Sequence, residues 1–97
     1  MTHHDAIAGD LFHPDLVIRR AGADDQAAVR ALARLDDARP LRGEVLIAEV
    51  DGELWAALSL EDGRGLAHPF QHSASALELL RIRASHLARV WRERAAA

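Results

Sequence analysis

Residues 45–60 read VLIAEVDGELWAALSL, two apolar runs joined at Asp51-Gly52. An Asp-Gly pair between such runs is the strongest short-range signal for a β-hairpin. Glycine tolerates the positive φ of a type I′ turn, and aspartate tolerates it better than most residues. Val45 to Ala48 is continuously apolar, as in a strand covered on both faces. Trp55 is the bulkiest member of the second arm, Leu54 to Leu60.

Toward the N-terminus, Leu16 to Arg20 (LVIRR) is a short β-branched run and reads as the first strand. Gly22-Ala23-Asp24-Asp25 then opens a helix, with glycine as N-cap and acids placed to suit the dipole. Ala28, Val29, Leu32 and Leu35 recur at helical spacing to about Asp37, and Pro40 prevents continuation. Residues 38–43 (ARPLRG) connect this helix to the hairpin. Residues 1–15 mix His, Asp, Gly and Pro without a period and read as a mobile tail.

Toward the C-terminus, Glu61-Asp62-Gly63 makes a turn and Leu66 to Phe70 (LAHPF) a short third arm, which Pro69 confines to an edge or an end. The last element is a long helix. Ser75 and Glu78 have capping-box spacing, with Ser73 an alternative cap. Leu77, Leu80, Ala84, Leu87 and Trp91 follow a 3-4-3-4 spacing, flanked by Leu79, Ile82 and Val90. The helix reaches about Arg94, and its final turns project beyond the sheet or meet a second copy. The expected fold is α+β, in the order β-α-β-β-β-α. It has a mainly antiparallel sheet of three to four strands and two helices in a single domain, residues 16–97.

Composition narrows the function. The chain has 97 residues and no cysteine, which excludes disulfides, thiolate nucleophiles and cysteine metal sites. All 12 basic residues are arginine, so Schiff-base chemistry and a phosphate-loop lysine are excluded as well. Residues 1–62 carry six arginines against 13 acids and residues 63–97 six against two, so an acidic body precedes a basic helix. No secretory signal and no run of about 18 apolar residues occurs, and the expected location is cytoplasmic, without membrane binding. Many of the apolar residues are alanines and aromatics are only 4%, so the core is thin and self-association would add buried area.

Three stretches resemble the front portion of the GNAT superfamily of N-acetyltransferases. VIRRAGADD is similar to that family's first strand and helix, and VLIAEVDGELWAALSLEDG to its central hairpin. The step from LAHPF into a helix falls where its cofactor loop belongs. The family's loop is Gln/Arg-x-x-Gly-x-Gly/Ala, and this chain has Gln71-His72-Ser73-Ala74-Ser75-Ala76. The resemblance implies that Gln71, Ser73, Ala74, Ser75 and Ala76 form a degenerate acetyl-coenzyme A loop, with Ala74 standing where glycine is expected. A methyl there obstructs close approach of a pyrophosphate. No stretch matches the family's fifth strand and there is no tyrosine for its late acid, so the resemblance implies a truncated version of that fold.

The candidate general bases by placement are Glu49, Glu61 and His68, each weighed against a solvated or turn role. His3 and His4 raise an N-terminal copper or nickel chelate, and His68 with His72 a metal pair that Pro69 argues against. No resident metal or cofactor is expected. The reading is a non-catalytic GNAT-like interaction or structural module that forms a homodimer or binds a protein partner. Its alternatives are a minimal acyl-coenzyme A-dependent N-acetyltransferase, with acetyl-coenzyme A as cofactor, and an arginine-helix nucleic-acid binder using Arg81, Arg83, Arg89, Arg92 and Arg94.

Overall fold

A computed structural model describes residues 16–70 and 73–96. Strand β1 (Leu16–Arg20) leads through a single 3₁₀ turn (Ala23–Asp25) into helix α1 (Gln26–Leu35). Strands β2 (Val45–Val50), β3 (Glu53–Ser59) and β4 (Gly65–Ala67) follow, then helix α2 (Ser73–Ala96). The four strands lie in sequence order, β1-β2-β3-β4, and every neighbouring pair is antiparallel. The α+β architecture and the order of elements are those expected. The tail (residues 1–15, with His3 and His4) and the pair Gln71-His72 lie outside the described residues.

The hairpin forms as its wording requires. Val50 faces Glu53, and the two residues between them, Asp51 and Gly52, have φ of 53° and 81°. Positive φ at both central positions is the type I′ geometry, whose twist matches that of the strands it joins. Further in, Ala48 pairs with Ala56 but Glu49 pairs with Leu54, leaving Trp55 as an extra residue in β3. This bulge places Trp55 and Ala56, consecutive in sequence, on the same face of the sheet, where both join the α2 side of the core.

The two helices cover opposite faces. On one, Val29, Leu32 and Ala33 of α1 pack on Val45, Ile47, Ala57 and Leu66. On the other, Ala76 and Leu80 of α2 pack on Leu46, Ala48, Ala56 and Leu58. β2 is therefore buried along both faces, as its unbroken apolar run foretells. Five of the buried apolar residues are alanines, Ala33, Ala48, Ala56, Ala57 and Ala76. Such small side chains bring helix and sheet close together but bury little apolar area per residue.

Polar contacts hold the connections. Ser59, buried at the end of β3, donates from Oγ to the Arg42 carbonyl at 2.8 Å and accepts from the Glu61 N–H at 3.1 Å. Arg64 donates to the carbonyls of Arg39 and Pro40, at 3.1 and 2.6 Å. Gly43, with φ of 70°, turns the 38–44 segment into β2, and its Cα packs so close to Glu61 that an added Cβ would lie 2.8 Å from that side chain's Oε2.

Three expectations are corrected. Helix α1 ends at Leu35, and Asp36-Asp37 form a turn with Asp37 at φ of 52°. The third arm is shorter than expected, Gly65–Ala67, extended only by the His68 N–H donating to the Trp55 carbonyl at 2.8 Å. Helix α2 begins at Ser73, which puts Ser75 inside the first turn and removes it as the cap. The Ser73 hydroxyl also donates to the His68 carbonyl at 2.6 Å, tying α2 back to the end of β4.

Candidate functional site

The residues that the acetyltransferase resemblance singles out, so far as they are described, form the first turn of α2. Successive helical residues are rotated by about 100°, so Ser73 to Ala76 point in four directions. Ser73 and Ala76 are buried, at 3% and 2% exposure, and Ala76 packs with Leu80 against the sheet. Ala74 is exposed and Ser75 half-buried, so these two present the turn's surface. Helix N-termini attract anions, and this one is the next element after β4, where the resemblance implies a pyrophosphate.

The three candidate bases are not brought together. Glu49 lies on the α1 face of β2 and is held by Arg19, whose Nε donates to its Oε1 at 2.8 Å. Glu61 sits in the β3–β4 turn, against Gly43. His68 follows β4 beside Trp55, at the other end of β3 from Glu61. β3 is seven residues long, about 23 Å from end to end.

His68 has its own partners. Its side chain is 13% exposed, and its Nε2 lies 3.8 Å from Oε2 of Glu53. Its Nδ1 accepts the Phe70 N–H at 3.1 Å, and its ring meets that of Phe70 edge to face, with centroids 5.9 Å apart. Glu53 also accepts from the indole Nε1 of Trp55, at 3.3 Å. Glu53 with Trp55 is the part sequence reading missed, although residues two apart in a strand share a face. Joining His68 to them needed the β3–β4 register, which no local pattern encodes. The Phe70 N–H on Nδ1 ties the His68 ring to the backbone two residues on.

An open cleft lies at the opposite end of the sheet. Helix α2 has 24 residues and β3 seven, about 36 Å against about 23 Å. The helix therefore outruns the strands. A cleft of about 600 Å³ opens between its second half and the sheet end, floored by Leu58, Leu60, Ala84 and Leu87. Arg20 and Glu44, paired at 3.2 Å, and Arg81 stand at its rim. Trp91 reaches it from the same helical stripe as Leu80, Ala84 and Leu87. Leu80 is fully buried, whereas Trp91 is 65% exposed. The stripe is core only as far as the sheet extends.

Among the described residues no group of three or more His, Asp or Glu is placed to hold a metal ion. No described helix is long and apolar enough to cross a membrane. Comparison of the chain with protein-family models, with curated proteins and with solved structures finds no match.

Proposed function

We propose that this chain is a non-catalytic, acetyltransferase-like module that works through protein interaction and associates with itself. The observation that carries the reading is the overhang of α2, which leaves an indole 65% exposed above an apolar cleft. A core of small side chains gives self-association a physical motive, since a second copy supplies the apolar area that one copy lacks. The engagement of Glu49 with Arg19 and of His68 with Phe70 supports a structural role for both.

The acyl-coenzyme A-binding alternative keeps one support, the position of Ser73 to Ala76 at the start of the helix that is the next element after β4. Thermal unfolding with millimolar acetyl-coenzyme A separates the two readings. A ligand at 100 times its dissociation constant adds about 2.7 kcal/mol, a shift on the order of 10 °C or more in a domain of this size. The non-catalytic module shows no shift. A shift of that size replaces it with the cofactor-binding reading.

A further inference from the structure

We propose, on the basis of the self-association reading above, that the partner is a second copy of this chain. The interface is two-fold, and the overhanging end of α2 from each copy, anchored by Trp91, fills the other copy's cleft. One chain carries both halves of such a contact. The knob is Trp91, which continues the sheet-facing stripe of α2 and, although it also lines its own chain's cleft, is left 65% exposed. The hole is the cleft beside Leu58 and Leu60. A two-fold interface requires that the same surface be complementary to itself, whereas a foreign partner requires only one of the two halves.

Charge is divided in the same way. Arg89, Arg92 and Arg94 are exposed on the overhang, and none of them is ion-paired among the described residues. Asp62 in the β3–β4 turn is already paired with Arg64 at 3.8 Å, whereas its neighbour Glu61 is exposed and has no ion pair among the described residues; Gly63 of the same turn lines the same cleft as Trp91. Seating α2 in the partner's cleft carries its arginines toward the partner's Glu61, and the two-fold axis repeats that attraction. A nucleic acid would use the arginines and leave the apolar cleft and the acidic turn without a role. A tryptophan in an apolar pocket with charges around the rim is the usual composition of an interface hot spot.

The test is sedimentation velocity on the full chain from about 1 to 200 µM, with circular dichroism to verify helix content. The wild type is expected to approach twice its 10.6 kDa. Trp91→Ala is expected to weaken the dimer at least 30-fold at unchanged helix content. Arg92→Glu is expected to weaken it about ten-fold, and adding Glu61→Arg to that chain to restore much of the loss. A dimer indifferent to Trp91→Ala overturns the α2 interface and leaves self-association standing. A monomer throughout that range overturns both.

Discussion

Arg19 and Asp25 meet through two parallel hydrogen bonds, Nη1 to Oδ2 and Nη2 to Oδ1, each 2.8 Å long. The same guanidinium donates from Nε to Glu49 at 2.8 Å, so one side chain of β1 clamps the start of the α1 segment and its neighbour strand together. Asp25 also accepts the Gly22 N–H at 2.7 Å, which caps the 3₁₀ turn. The fork from Arg19, with the Gly22 N–H second, holds the Asp25 carboxyl down at about 2, against 3.8 for a free aspartate.

A depressed carboxyl stabilises the fold above its unfolded-state value, and that contribution is lost as pH falls through the folded-state one. Asp25→Asn keeps an acceptor for Gly22 but removes the charge that Arg19 binds. Its melting temperature is expected to lie below wild type by a constant gap from about pH 5 to 8. The gap then closes between about pH 4 and 2 as the wild-type carboxyl titrates. Melting curves for both proteins across that range check this, and a gap that persists unchanged at pH 2 contradicts it.

Ser59 serves three backbone groups from one buried hydroxyl, donating to Arg42 and accepting from Glu61 and Asp62. Ser59→Ala removes all three bonds with no compensating group. Urea unfolding is expected to show a loss of about 1–3 kcal/mol at an unchanged slope. A loss below about 0.5 kcal/mol would mean that water replaces the hydroxyl.

Leu80 and Trp91 share a helical stripe but not an environment. Leu80→Ala opens a cavity between α2 and the sheet and is expected to cost about 2–5 kcal/mol. Trp91→Ala, measured at a concentration at which sedimentation gives a monomer, is expected to stay within about 0.5 kcal/mol of wild type. Comparable losses at the two sites would place Trp91 in the core of a single copy.

Gly43→Ala puts a methyl on a residue at φ of 70° and against the Glu61 side chain. The left-handed conformation alone costs about 1–2 kcal/mol for a residue with a Cβ. Chemical denaturation is expected to show at least that loss, whereas Gly52→Ala, whose added Cβ meets nothing within 4 Å, isolates the backbone component.

The fold was legible where local chemistry and burial agree. Asp51-Gly52 specifies its own turn, and the run from Val45 to Ala48 reports burial on both faces because both faces are covered. The candidate site was much less legible. Glu49, Glu61 and His68 are of the right chemical types, but whether such groups converge depends on strand register and on which end of a strand each occupies. The bulge at Trp55 shows the difficulty, since one extra residue reverses the side to which the rest of β3 would otherwise point.

The amino-acid order by itself determined the succession of strands and helices, the turn between β2 and β3, and the apolar stripe of α2. Each of these rests on interactions within a few residues or on a simple period. Only the tertiary structure decided where that stripe stops being core. Leu80 and Trp91 satisfy the same helical spacing, but burial needs a surface opposite. The sheet reaches Leu80 and ends before Trp91, because the strands are shorter than the helix laid across them.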